Sequence, residues 1–236
     1  MITFEYVNVE GFGPSVRGAR NPMNSWDRSD SGNCGTFKHC NDCPALENKA
    51  RCVDMMNNPR EFAIGPKDHD LLMRLREAGS DHRKYERMIV VWVDITAPLY
   101  WWKEFDTYKV GTVSNSCSTM HKIHERPLTV KDFSTEHLTQ ESMNILMHLI
   151  SHINQMRNIY VDSKREEKEA WWQMIQLLPT SYNQRRTIML SYENLVNIYN
   201  ARKNHRLDEW RNFCRWIEDL PYSELITGET CEKTDN

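Results

Sequence analysis

Five consecutive residues near the middle of the chain, from Ser114 to Ser118, carry three hydroxyls, one amide and one thiol, and His121 follows closely. Small polar residues after Gly111 are typical of a loop, where backbone N–H groups and hydroxyls can converge on an anion. Ser118 could also act as a nucleophile if a base such as His121 lay beside it, although most loop serines only cap a turn. The composition therefore predicts an anion-binding loop over these residues.

A second group with possible chemistry is a set of four cysteines in the N-terminal part of the chain. Their spacing is C-x5-C-x2-C-x8-C, and thiolates bind zinc tetrahedrally, with C-x2-C as the usual half-site. His39 could replace one thiolate. Free thiols in a surface insertion over about 33–62 are the alternative, because the second half of the pattern has no C-x2-C of its own. The candidate metal ligands are Cys34, Cys40, Cys43 and Cys52.

Two tryptophan pairs and one arginine pair could also contact a ligand. Trp101-Trp102 and Trp171-Trp172 could stack on a flavin or a base, although packing in a core or an interface is the commoner role of such residues. Arg185 and Arg186 could bind a phosphate bidentately, or they could lie on a solvated face. The sequence leaves both alternatives open.

Length and composition favour one globular domain. The chain has 236 residues, of which 39% are hydrophobic and 27% charged, and this is enough for one sizeable core. No apolar run reaches the roughly 20 residues of a membrane span, and no secretory signal is evident. A formal net charge of −3 gives no global attraction to nucleic acid. Seven cysteines without a signal peptide predict reduced thiols, and hence a protein of the cytoplasm. We also expect this protein to bind neither a membrane nor nucleic acid.

Hydrophobic periodicity and turn residues predict the elements that must position these groups. The predicted strands are Ile2–Val9, Met88–Ile95 and Arg185–Tyr192, and a tryptophan-rich turn follows the second of them. The predicted helices are Pro66–Ala78, about 135–162, 164–178, Tyr192–Arg202 and about 207–220, whereas residues 11–33 are predicted to form a loop. Strands and helices without a repeat or a linker indicate one α+β domain over residues 1–227, with a flexible tail over 228–236.

The order of several motifs between about residues 70 and 220 resembles that of the flavin-dependent thymidylate synthases. A strand leads into Ala97-Pro98, and Asn115 and Ser118 match the family's Asn and its second Ser. No single motif is decisive, and the ordered series carries the resemblance. In the C-terminal half the matching positions are Leu178-Pro179, Ser191, Asn197, Arg202, His205 and Glu209.

The resemblance implies a small antiparallel sheet packed with helices, in a homotetramer that binds FAD and dUMP at its subunit junctions. Members of the family transfer a one-carbon unit from methylenetetrahydrofolate and a hydride from NADPH, through the flavin, to make dTMP. This chain would then be an FAD-dependent, thymidylate synthase-like methyltransferase that acts on a pyrimidine nucleotide.

The resemblance also implies roles for individual residues. The catalytic residues would be Arg202, which polarises the pyrimidine, Ser118, which holds the phosphate side, and Glu104, which stands where the family has a glutamine. The flavin-binding residues would be Lys109, Ser191, Asn197 and His205. The substrate-binding residues would be Ser114, Asn115, Ser116, Ser118, His121 and Arg202.

The departures from the family pattern concern charged residues. Its Arg-His-Arg falls near Thr107-Tyr108-Lys109, Met120-His121 replaces its Arg-Tyr, and Glu193 replaces an arginine. Each charge-assisted contact contributes about 1.5–3 kcal/mol, so these losses would weaken nucleotide binding unless other cations compensate. The candidates for compensation are Lys109, Lys122, Arg185 and Arg186.

One alternative is a nucleotide-binding protein that kept the fold without flavin chemistry. Another is a changed reaction, with Glu104, Cys117 or His121 as acid–base or nucleophilic groups.

Overall fold

The computed structural model describes residues 1–33, 43 and 62–228. The strands in this part of the chain are β1 (Thr3–Glu10), β2 (Gly32–Asn33), β3 (Phe62–Ala63), β4 (Val90–Pro98), β5 (Val113–Ser116) and β6 (Asn183–Ser191). The helices are α1 (Phe12–Arg20), α2 (Pro66–Glu77), α3 (Leu99–Phe105), α4 (Thr119–Lys122), α5 (Gln140–Asp162), α6 (Lys168–Gln176), α7 (Tyr192–Arg202), α8 (Asp208–Glu218) and α9 (Glu224–Thr227). This mixture confirms the predicted α+β class.

Four strands form one sheet in the order β1-β4-β6-β5, and β5 runs antiparallel to β6. Strands β2 and β3 form a separate antiparallel pair. Strand β4 follows from its sequence, because Val91, Val93, Ile95 and Ala97 are buried at every second position, as the period of a strand requires. It begins two residues later than predicted and ends at Pro98, which has no N–H to donate to a ladder. The predicted small antiparallel sheet is confirmed.

Contacts divide the described part of the chain into two compact units. The first unit contains residues 1–7, 92–189 and 204–213, and the second contains the described residues of 8–91, 190–203 and 214–236. The predicted domain limits, 1–227 followed by a tail, stay a prediction.

An aromatic cluster lies in the core of the first unit. Trp101 and Trp102 are fully buried, and Trp101 stacks on Phe105 with 5.1 Å between the ring centroids. Trp210 and Phe213 pack against Trp101 at 4.9 and 5.7 Å. The predicted tryptophan-rich turn is therefore wrong. These residues form helix α3, because burial of each large side chain contributes about 1.5–3 kcal/mol that an exposed turn would lose, and buried indoles have no free face for a flavin.

Helices α5 and α6 pack together in the same unit and share an apolar core. The Thr139 hydroxyl caps α5 by accepting a hydrogen bond from the backbone N–H of Ser142 at 3.3 Å. The helix therefore begins at Gln140, and not near residue 135 as predicted, because such a cap satisfies one of the N–H groups left over at a helix start. Ile153 and Met174 are among the buried residues between the two helices.

The second unit contains α1 within the segment that was predicted to be a loop, so that prediction is wrong. Phe12 and Val16 are buried on this helix, and their packing outweighs the low helix propensity of Gly13. Pro14 lies in the first turn, where a missing N–H breaks no helical hydrogen bond.

A buried ion pair joins α1 to α2 within the second unit. The guanidinium of Arg20 donates a hydrogen bond to one carboxylate oxygen of Asp68. The hydroxyls of Ser29 and Ser31 donate to the other oxygen at 2.6 and 2.5 Å. Burial alone would raise the pKa of Asp68, but these donors hold the pKa below its usual value, so the carboxylate stays ionised.

Two glycines of the second unit give a matched test of backbone strain. Gly11 and Gly79 share a φ of +102°, but a Cβ on Gly11 would lie 1.9 Å from the carbonyl oxygen of Met88, whereas nothing lies within 4 Å at Gly79. We expect Gly79→Ala to lower the free energy of unfolding by about 1 kcal/mol, the cost of a left-handed residue. Gly11→Ala should cost about twice as much, because the clash adds to the strain. Equal costs in urea unfolding would contradict this.

Candidate functional site

Ser118 and His121 form a close polar pair in the first unit. The Oγ atom of Ser118 lies 2.7 Å from Nδ1 of His121 and accepts a hydrogen bond from the His121 backbone N–H at 3.2 Å. Ser118 is the N-cap of the short helix α4, which explains the spacing of three residues. The structure thus brings two predicted site residues together, with a hydroxyl and an imidazole within hydrogen-bond distance.

Ser118 also lines a cavity of about 830 Å³ that belongs entirely to the first unit. This volume falls in the range of about 300–1,000 Å³ that small-molecule sites occupy. Cys117, another residue singled out in the sequence, lies on the same wall. The polar side chains of the lining include hydroxyls, amides, cations and three carboxylates: Thr3, Thr96, Ser118, Thr119, Tyr182, Asn183, Gln184, Lys122, Arg126, Lys131, Arg185, Glu125, Asp132 and Glu136.

Most of the cations around this cavity are paired. Lys122 donates to Glu125, and the guanidinium of Arg126 donates to Asp132, with one of its two contacts at 2.9 Å. Burial would raise the pKa of Asp132, but Arg126 and a backbone donor hold it below the usual value. Lys131 is exposed and has no ion pair within the described part of the chain. Sequence reasoning missed Arg126 and Lys131, which no local motif distinguishes from other surface cations.

The predicted anion-binding loop is wrong for residues 114–116, which form strand β5. Their backbone pairs with β6 in the register Ser114↔Ile188, Asn115↔Thr187 and Ser116↔Arg186. Small polar residues favour loops, but strand propensity depends on context, and here the neighbouring strand satisfies the backbone. Side chains alternate along a strand, so Asn115 points to the opposite face from the two serines. The three residues therefore do not share one face of β5, and their part in substrate binding stays a prediction.

Glu104 and His205 come together on another side of the first unit. The carboxylate of Glu104 accepts a hydrogen bond from Nε1 of Trp210 at 2.9 Å, and Nε2 of His205 lies 3.7 Å from the same oxygen. The backbone N–H of Leu207 donates to Nδ1 of His205 at 3.2 Å, so a neutral imidazole carries its proton on Nε2, towards Glu104. Lys109 lies beyond the end of α3 and is exposed.

Three predicted residues lie at the start, middle and end of α7 in the second unit. The Ser191 hydroxyl is the N-cap and accepts from the backbone N–H of Asn194 at 3.3 Å, so helix capping accounts for this residue. Asn197 is exposed, and its side-chain carbonyl accepts from the Arg83 guanidinium at 3.1 Å. Arg202 is the last residue of the helix and is half-buried.

Glu193 is not an isolated negative charge on α7. The guanidinium of Arg87 donates to both of its carboxylate oxygens, with one contact at 3.0 Å. An anionic ligand near this helix would therefore meet an ion pair and not a bare carboxylate, which removes part of the repulsion expected from the sequence. The partner lies 106 residues away in the chain, so no sequence motif could reveal the pair.

Arg185 and Arg186 are also engaged within the first unit. Arg185 donates to Asp94 at 2.7 Å and pairs with Glu5 at 3.0 Å. Arg186 donates to Asp106 at 2.7 Å, and its guanidinium lies 4.2 Å from the centre of the Trp102 ring. Each arginine therefore already balances carboxylates of the same unit.

Two further predictions meet the limits of the described residues. Of the four candidate zinc ligands only Cys43 lies within them, and Cys34, Cys40 and Cys52 lie outside, so the metal site stays a prediction. Within the described ranges, no set of three or more histidine, cysteine or acidic side chains has the arrangement of a metal site. None of the helices seen there has both the length and the apolar character needed to span a bilayer.

Comparison with solved structures identifies the fold. The flavin-dependent thymidylate synthase ThyX from Helicobacter pylori, complexed with FAD and dUMP, aligns with 96% of this chain and 98% of its own, with a TM-score of 0.63 and 13% identity. A second structure of ThyX from the same organism, with FAD and dUMP, gives a TM-score of 0.64 and 12% identity, covering 97% and 98% of the two chains. No family model and no curated protein matches the sequence. At this identity the likeness establishes the fold, as the sequence resemblance predicted.

Proposed function

We propose that this chain, which has the fold of the flavin-dependent thymidylate synthases, binds a pyrimidine nucleotide of the dUMP type and transfers a one-carbon unit to it. A fold alone does not fix a function, and the proposal needs a site with suitable chemistry. The observation that supports it most is the cavity of about 830 Å³ with Ser118 in its wall.

The cavity suits the phosphate end of a nucleotide. The hydroxyls of Ser118 and Thr119 can donate to phosphate oxygens, and Lys131 supplies a positive charge that no carboxylate of the described residues takes up. Lys122 could exchange its exposed partner Glu125 for a phosphate, because exposed ion pairs contribute only about 0–1 kcal/mol, whereas Asp132, which is 12% exposed, keeps Arg126. Hydrogen bonds to a charged group are stronger than that, at about 1.5–3 kcal/mol each.

The flavin would use different residues. Lys109, exposed and without an ion pair in the described part of the chain, fits the negative charge of the FAD pyrophosphate, and the exposed amide of Asn197 keeps its N–H donors. The resemblance also assigns Ser191 of the second unit and His205 of the first unit to flavin binding. When bound, FAD would accept a hydride from NADPH and serve the transfer of the one-carbon unit from methylenetetrahydrofolate. Glu104 and His205 would accept or hold a proton beside it.

Arg202 would act on the base of the nucleotide. A guanidinium against the pyrimidine stabilises negative charge that develops on the ring, and such preorganised groups contribute about 10²–10³-fold to rate. We propose that the protein is a homotetramer in which Arg202 of one protomer serves a nucleotide held by the Ser118 cavity of another. A reducing cytoplasm, suggested by seven cysteines, is the proposed location.

The first test is a spectrum and a binding titration. Purified protein should retain FAD after reconstitution, with absorption peaks shifted from those of free FAD, and should release tritium from labelled dUMP with folate and NADPH present. Ser118→Ala should weaken dUMP binding about 10–100-fold, the loss of one hydrogen bond to a charged group. Ser151→Ala is the matched control, because this exposed serine of α5 does not line the cavity and has no assigned part in binding. Equal effects of both substitutions would contradict the role of the cavity.

A second candidate function is nucleotide binding without flavin chemistry. The observation in its favour is that Arg185 and Arg186, two possible replacements for the family's basic triplet, are already held by Asp94, Glu5 and Asp106. Calorimetry separates the two candidates. Tight dUMP binding by protein that retains no flavin would select the second, whereas flavin retention with turnover selects the first.

A further inference from the structure

Two histidines on the outer face of α5 have no part in the proposed nucleotide site. His148 and His152 are four residues apart on this 23-residue helix, and both are exposed. Neither has a hydrogen bond or an ion pair within the described residues. Side chains at i and i+4 share one helix face, with Cβ atoms about 5–6 Å apart.

From this geometry we propose that His148 and His152 together bind a divalent late transition metal ion such as Zn²⁺, Ni²⁺ or Cu²⁺. Neutral imidazole is the commonest protein ligand of these metals. Metal–nitrogen distances of about 2.0–2.1 Å allow one ion to contact two imidazoles one helical turn apart. Helical zinc motifs use the same spacing of two histidines.

The opposite face of the helix holds the pair in place. Leu146, Ile150 and Ile153 are buried in the core of the first unit. Their packing fixes the orientation of α5, so the two histidines already face solvent before a metal binds. Two ligands on one rigid element bind cooperatively, and the gain over a single ligand is about 10²–10⁴-fold for such linked sites. The described residues contain no set of three or more ligands, so the proposed site takes two ligands from this part of the chain, and water would complete the coordination. Such an open site exchanges its metal.

The test is a titration of the full-length protein with Ni²⁺ at pH 7.5, in which an isothermal calorimeter records the heat of binding. The wild type should show a binding event that His148→Ala/His152→Ala lacks, and each single substitution should weaken that event about 100-fold. Any binding by cysteines would be common to all these proteins and would cancel in the comparison.

His82→Ala is the matched control, because His82 is an exposed histidine in the second unit with no histidine at i+4. It should leave the titration unchanged. Circular dichroism checks that the helical content is unchanged in each variant. We expect no change, because the substituted histidines are exposed. An unaltered titration in the double variant, or an equal loss in His82→Ala, would overturn the proposal.

Discussion

Replacing Glu86 with glutamine should remove most of the pH dependence of stability near neutrality. Glu86 is fully buried in the second unit, and neither of its carboxylate oxygens has a hydrogen-bond partner there. Burial raises its pKa to about 7, even though Arg83 and Arg76 favour the charged form. The Nε atom of Arg83 lies 3.7 Å from the carboxylate, which is too far for a hydrogen bond.

The direction of the effect follows from proton binding. In the unfolded chain the pKa of a glutamate is 4.5, so between pH 4.5 and about 7 the folded state holds a proton that the unfolded state has lost. The contribution of Glu86 to stability is therefore largest below this range and is lost as the pH rises through it. A shift from 4.5 to about 7 corresponds to about 3 kcal/mol. An amide does not ionise, so Glu86→Gln lacks this loss.

Urea unfolding at pH 5 and pH 8 measures the effect. The advantage of Glu86→Gln over the wild type should be about 2.5 kcal/mol larger at pH 8 than at pH 5. Glu77→Gln is the control, because Glu77 is exposed at the end of α2 and changes the net charge equally. If the free energies of unfolding of the wild type, Glu86→Gln and Glu77→Gln change equally between pH 5 and pH 8, Glu86 does not titrate in this range.

Much of the fold was predictable because local signals and packing agree in most elements. Helix α7 has the predicted bounds, since Ser191 caps its start and an apolar face follows it. Strand β4 was predictable because Val91, Val93 and Ile95, which are buried, alternate along its sequence. The failures occur where tertiary contacts override local preference. Helix α1 contains two glycines and a proline but buries Phe12, and β5 has a loop-like composition but pairs with β6.

The candidate site was less predictable, because its groups meet through packing. Ser118 and His121 are neighbours in the sequence, and their contact follows from helix capping. Glu104 meets Trp210 across 106 residues, and nothing local announces that contact. Composition shows which residues can bind phosphate, but only the structure shows that Arg126, Arg185 and Arg186 already have carboxylate partners.

Mixing two impaired variants should restore activity at a dUMP concentration below the wild-type KM, if the proposed site is shared between protomers. Ser118→Ala should lose dUMP affinity, and Arg202→Ala should lose about 10²–10³-fold in rate. A mixture of equal parts, refolded or exchanged together, contains protomers that still have Ser118 and others that still have Arg202. Random assortment places an intact pair at roughly one quarter of the sites of a symmetric oligomer, so about a quarter of wild-type turnover should return.

The control is a mixture of Arg202→Ala with the double variant Ser118→Ala/Arg202→Ala, in which no site regains an arginine. It should stay inactive and shows that refolding alone restores nothing. Turnover that stays at the level of the separate variants, in tetramers shown to exchange protomers, would mean that Ser118 and Arg202 act within one chain. The dUMP affinity of Ser118→Ala and the rate of Arg202→Ala are measured separately. A mixture without recovered turnover would therefore contradict the sharing of the site between protomers, and the roles of Ser118 and Arg202 would stand.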